Sequence, residues 1–144
     1  MTDLEIAKNE LCEENLTLAI VKNGELLYST DSHRITGFLD AIEKCGAILE
    51  GASVADKVAG KAIALLCAHT KVKEVYALVM SRQALIVFKK HKVGYHWGEL
   101  VENILDSSKV GMCPFEKAAA DISDPEKAYR VFKGLRENLR SGKS

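Results

Sequence analysis

The densest run of side chains able to do chemistry is Ser53-Val54-Ala55-Asp56-Lys57, followed at once by Gly60-Lys61. A carboxylate, two ammonium groups and a glycine that lets a backbone or ligand approach closely are the materials of an anion site. Read as a helix over residues 56–69, the segment has Asp56 as its cap, alone or in a capping box with Ser53. Lys57 and Lys61 then lie one turn apart at the N-terminus, where the helix dipole and both ammonium groups attract phosphate or a similar anion. Two local rules break on that reading. Gly60 inside a helix costs about 1 kcal/mol relative to alanine, and lysines four apart repel by a few tenths of a kcal/mol. Breaks of this kind are expected where function overrides stability. Asp56 is the expected base or orienting group, and the bland alternative is a capped helix start. A Walker-type phosphate loop is excluded: the positions that need glycine and Ser or Thr hold Ala55 and Ala62.

A second group is Cys113-Pro114-Phe115-Glu116. Proline suits the first position of a helix, so Cys113 sits where a thiolate is stabilised, and Glu116 one turn on could act as acid or base. The structural alternative is a proline-initiated helix with a glutamate favourably placed against the dipole. The four histidines, His33, His69, His91 and His96, show no metal-ligand spacing, and His91 reads as part of a solvated helix end. No metal and no cofactor are expected.

These groups need elements to position them. The length of 144 residues suits one domain, with a frayed tail over residues 141–144. The chain is 47% hydrophobic and 28% charged, ordinary for a globular protein. Twenty basic residues balance 20 acidic ones. No global positive field draws in nucleic acid, so none is expected, and such binding would need a local patch. The acidic start and the lack of a long apolar run point to the cytoplasm and away from membranes. The scattered cysteines, without a CxxC pair, read as thiols.

Thr2-Asp3-Leu4-Glu5 is a capping box that opens a helix ending near residue 14 or 15. Asn23-Gly24, between apolar runs at 16–22 and 25–29, predicts a β-hairpin with a type I′ turn. Helices are expected over 36–45, 56–69, 82–91 (capped by Ser81), 99–105, from Cys113-Pro114, and from Asp124-Pro125 with Ala128, Phe132, Leu135 and Leu139 in line. Strands are expected over 52–55, 75–79 and 93–97. A hairpin followed by strand–helix units gives an α/β fold, with a mixed sheet of about five strands and helices on both faces. The ligand crevice then lies at the carboxyl ends of neighbouring parallel strands, at 54–56 and 79–81, with Ser81 among its ligand-binding residues.

Four stretches carry a family resemblance: the hairpin at 16–29, Gly51-Ala52-Ser53-Val54-Ala55-Asp56-Lys57-Val58-Ala59-Gly60-Lys61-Ala62, residues 72–81, and Gly111-Met112-Cys113-Pro114-Phe115-Glu116. With them the chain resembles an uncharacterised family of short prokaryotic proteins of cytidine-deaminase-like fold, over residues 4–121. The resemblance implies a three-layer α/β/α sandwich and brings no established activity. Active deaminases take their zinc from a His-or-Cys/Ala/Glu triplet opening one helix and Pro-Cys-x-x-Cys opening the next. The places that look equivalent, Val54-Ala55-Asp56 and Met80-Ser81-Arg82-Gln83, offer one carboxylate and no thiolate, which argues against a zinc-bound water. The expectation is a domain handling a small anionic molecule. Ser53, Lys57, Gly60, Lys61 and Ser81 bind it, and Asp56, Cys113 and Glu116 are the candidate reactive groups of a metal-independent enzyme. A non-catalytic binding module and an inert scaffold with a remnant site are the rivals, and a homo-oligomer is left open. An enzyme requires an open cleft with the reactive groups around it, whereas a scaffold requires that cleft to be filled by side chains.

Overall fold

The computed structural model describes residues 1–32, 34–103 and 114–140. Helix α1 (Asp3–Glu13) opens on the expected capping box, with Thr2 accepting from the Glu5 N–H and Glu5 reaching back to Thr2. Strands β1 (Leu18–Lys22) and β2 (Glu25–Thr30) form the expected antiparallel hairpin. Asn23 and Gly24 take φ of 52° and 79°, as a type I′ turn demands. Asp3 fixes this turn to α1, its carboxylate accepting both turn N–H groups at 2.9 Å.

The remaining elements are α2 (Arg34–Cys45), a short 3-10 turn (Gly46–Leu49), β3 (Ser53–Ala59), α3 (Lys61–Thr70), β4 (Glu74–Ser81), α4 (Arg82–Lys90), β5 (Gly94–Val101), α5 (Pro114–Ala119) and α6 (Pro125–Arg140). The sheet order is β2-β1-β3-β4-β5, with β3, β4 and β5 parallel and β1 antiparallel to both neighbours. Ala7 and Leu11 of α1 pack on one face, against Ala19, Val21 and Ala55. Helices α2 to α6 build the larger core on the other face, around Phe38, Leu65, Phe88 and Phe132. This is a mixed five-stranded sheet with helices on both sides, a three-layer sandwich.

Three expectations are corrected. The helix placed over 56–69 begins only at Lys61, because β3 continues through Asp56, Lys57, Val58 and Ala59. That stretch is hydrogen-bonded on both sides: Asp56 pairs with Leu18 of β1 and Ala77 of β4, and the Lys57 N–H donates to Thr17. A centrally paired strand outweighs a local capping signal. Gly60 is therefore not inside a helix but caps it in an extended conformation. The helix expected over 99–105 is also overturned in its described part, since Glu99, Leu100 and Val101 extend β5 along β4. Finally, Leu139 of α6 is 47% exposed and Arg136 is buried instead. The end of α6 crosses α2 where Asp40 and Glu43 stand, so a cation is wanted there. Arg136 donates to Asp40 at 3.1 Å and to both Glu43 oxygens at 2.8 and 2.9 Å.

The helices α3 and α4 end alike. Val72 donates to Cys67 and Lys71 to Ala68; Val93 donates to Phe88 and Lys92 to Lys89. These are Schellman ends, each with a buried valine behind it. Their left-handed residues are Lys71 and Lys92, with φ of 58° and 59°. A side chain in that region costs about 1 kcal/mol that glycine does not.

The Arg136 hydrogen bonds hold the Glu43 carboxyl below its ordinary value, against a smaller opposing effect of burial. Stability from a lowered carboxylate is present above the unfolded value and lost as pH falls through the folded one. Arg136→Ala is expected to lose about 2 kcal/mol in urea unfolding at neutral pH, and the gap to the parent protein to shrink as pH falls below about 4.5. A gap independent of pH would assign the loss to packing alone.

Candidate functional site

The carboxyl ends of β3 and β4 are at Ala59 and Ser81, and α3 and α4 start directly from them. The N-terminus of α3 presents free backbone N–H groups, as every helix start does. Both groups nearest the end are taken by Glu116 of α5. Its Oε2 accepts the Lys61 N–H at 3.1 Å and its Oε1 the Ala62 N–H at 2.9 Å. Lys61 returns the contact, its Nζ donating to the Ala120 carbonyl at the end of α5 at 3.0 Å. Each helix thus sets a charge of the right sign against the other's end. At α4, Ser81 is fully buried, and its hydroxyl accepts the Ala84 N–H at 3.1 Å. The expected cap is in place, and that oxygen is engaged within the chain.

Asp56 is fully buried in mid-β3. Its register partners Leu18 and Ala77 belong to the larger core, so its side chain faces the α3 layer. One oxygen accepts the Val58 N–H at 3.1 Å. The neighbouring thiol of Cys67 is pushed well above its ordinary value, by burial first and by the Asp56 charge second. It is an inert thiol rather than a nucleophile.

The expected site residues therefore separate. Gly60, Lys61 and Glu116 meet at the start of α3, and Ser81 caps the next helix. Lys57 is exposed on the strand and does not share a helix turn with Lys61, which removes the ground for a lysine-paired anion site. Ser53 opens β3, roughly 20 Å from its carboxyl end at the usual rise per residue, and donates to Glu74 at 3.3 Å. Glu116 is a helix cap rather than a free acid or base. Cys113 lies outside the described residues. The positions 54–56, likened to a deaminase triplet at a helix start, are instead strand. The capping role of Glu116 was missed because its partners, Lys61 and Ala62, are far away in sequence; the glutamate in the first turn after Pro114 was the only local signal. Among the described residues no three His, Cys, Asp or Glu side chains are gathered as a metal site, and no helix is long and apolar enough to cross a membrane.

No curated protein matches the chain. Among solved structures, a DUF1893 family protein from Thermotoga maritima aligns over 94% of this chain and 91% of its own, at 24% identity and a TM-score of 0.85, which shows a common fold. A further likeness, to Acinetobacter baumannii RibD, has a TM-score of 0.45 and 14% identity, and covers 82% of this chain but only 33% of RibD. The sequence profile of a domain of unknown function, DUF1893, matches residues 6–135. With nearly its whole length so matched, the chain belongs to the DUF1893 family.

Proposed function

We propose that the chain works as a non-catalytic interaction domain, in which the end of the sheet that could have held a ligand is closed by the chain's own groups. One observation carries this: the Glu116 carboxylate occupies the two N–H groups that an incoming anion would use. The adjacent lysine is committed to a carbonyl of the same helix connection. A remnant deaminase-like site fits the same picture. Gly60-Lys61-Ala62 and Ser81-Arg82-Gln83-Ala84 stand where α3 and α4 begin, and neither offers a thiolate or an imidazole.

A second reading, a site for a small molecule that brings a hydrogen-bond donor to this end of the sheet, is favoured by the buried Asp56 carboxylate. Placing a carboxylate in a core costs several kcal/mol unless it is well compensated, and such groups concentrate at functional sites.

Two measurements test the proposal. Glu116→Ala should lose about 1–2 kcal/mol of unfolding free energy, as for a deleted helix cap, and Glu116→Gln less, because the amide oxygen still accepts. An unchanged stability in Glu116→Ala would show that the cap does not hold α5 to α3. In amide NMR titrations with inorganic phosphate and a panel of nucleotides, the Lys61 and Ala62 resonances should stay in place. Saturable shifts at those two amides, or at Val58 and Gly60, would overturn the closed-site reading and favour the second.

A further inference from the structure

At the opposite end of the sheet, the two connections that lead from a helix into a parallel strand are built alike. Helix α3 enters β4 through Lys71 and Val72, and α4 enters β5 through Lys92 and Val93. In both, lysine holds the left-handed position at which glycine is the favoured residue. The chain uses glycine for that conformation elsewhere, at Gly24, Gly46 and Gly51.

Pairing of β4 with β5 sets the two turns side by side, the Gly94 N–H donating to the Lys73 carbonyl at 3.0 Å. A row results: Lys71 and Lys73 from one turn, and Lys89, Lys90 and Lys92 from the other, all exposed, with His91 among them. None of the five lysines makes an ion pair among the described residues. Carboxylates lie beside the row as well, Asp124 and Glu126 among them, whose charges act on His69. Glu50 shares a pocket with Lys71, and Glu74 is held by Ser53 and lies 3.8 Å from His96. Complementing the helix dipole explains Lys89 and Lys90 in the last turn of α4. It does not explain Lys73 beyond a helix end, nor lysine twice where the backbone favours glycine.

Aromatic rings lie farther along the elements on either side, stacked on one another: Tyr129 between His69 and Lys133, and Tyr95 between Phe88 and Trp97. On one side a pocket of about 310 Å³ opens at Lys71, and the His69 ring beside it stacks on Tyr129 at 4.7 Å. On the other side Tyr95 and Trp97 lie with ring planes 4° apart, and Trp97 is 40% exposed.

We infer that this end of the domain binds single-stranded nucleic acid, the lysine row on successive phosphates and the exposed Trp97 ring on a base. A cationic track beside stacking platforms is the sequence-tolerant way of holding such a strand. A membrane surface would ask for a cluster of exposed apolar side chains beside the lysines; the exposed Ile48, Ile86 and Trp97 come from three separate elements, the 3-10 turn, α4 and β5. The surface lies away from Glu116 and stands independently of the closed-site reading.

The test is fluorescence anisotropy with labelled deoxythymidine and uridine oligonucleotides of about 12 nucleotides, between about 50 and 200 mM salt. Contacts to three to five phosphates, at roughly 0.7 each for single strands, give a log–log salt slope of about −2 to −3.5. Lys71→Gly combined with Lys92→Gly should weaken binding about tenfold or more and flatten the slope by about 1.4, while the melting temperature holds or rises, because glycine takes the left-handed position freely. Lys73→Glu, at an exposed position, should weaken binding in the same direction. The inference is overturned by an absence of binding at the lower salt, by equal affinity and slope in the double variant, or by binding to phosphatidylserine vesicles without binding to either oligonucleotide.

Discussion

The pairing of β3 on both sides is the constraint from which the rest of the architecture follows. Seven residues, Ser53–Ala59, lie between an antiparallel neighbour and a parallel one. Their backbone groups are satisfied only if the strand persists to Ala59, because an unpaired N–H or C=O in this layer would cost about as much as a lost hydrogen bond. That persistence decides where α3 begins, and so which residues face its N-terminus. It also carries Asp56 into the core layer and leaves Lys57 in solvent. A strand shorter by four residues would have made the same sequence a helix with two lysines at its head.

Once α3 begins at Lys61, its first N–H groups have no acceptor within the helix, and α5 supplies one from a distant part of the chain. The exchange of Glu116 for Lys61 between the two helices is a fastening of the kind that Arg136 makes between α6 and α2. In each case a charged side chain reaches across to another helix. The helical layer on the larger face is thus locked by long-range polar contacts as well as by the core of Phe38, Phe88 and Phe132. The smaller face, covered by α1, is fastened instead at the hairpin tip, where Asp3 holds the Asn23-Gly24 turn.

The two ends of the parallel strands differ in consequence. At the carboxyl end, Glu116, Lys61 and Ser81 are engaged within the fold. At the amino end, the lysines of two successive turns face solvent without ion-pair partners among the described residues. The balance of 20 basic against 20 acidic residues conceals this separation. It arises because β4 and β5 are neighbours, which brings residues 71–73 and 89–92 together.

Features specified by neighbours in the chain were legible in the sequence. The Thr2 capping box, the Asn23-Gly24 hairpin, the Ser81 cap and the proline start of α6 each depend on residues within a turn of one another, so local propensity and local hydrogen bonding decide them. The hairpin and the strand–helix order were also enough to specify a mixed sheet with helices on both faces. What the tertiary structure alone decided is everything that depends on partners remote in sequence. The capping signal at Asp56 lost to two ladders of strand hydrogen bonds, and the short β5 pattern was lengthened by pairing with β4. Leu139 gave way to Arg136 because two carboxylates of α2 stand opposite. Glu116 became a cap because α5 folds back onto α3. In each case the local preference is worth about 0.5–2 kcal/mol, whereas hydrogen bonds and burial summed over an element amount to several times that, so tertiary context prevailed.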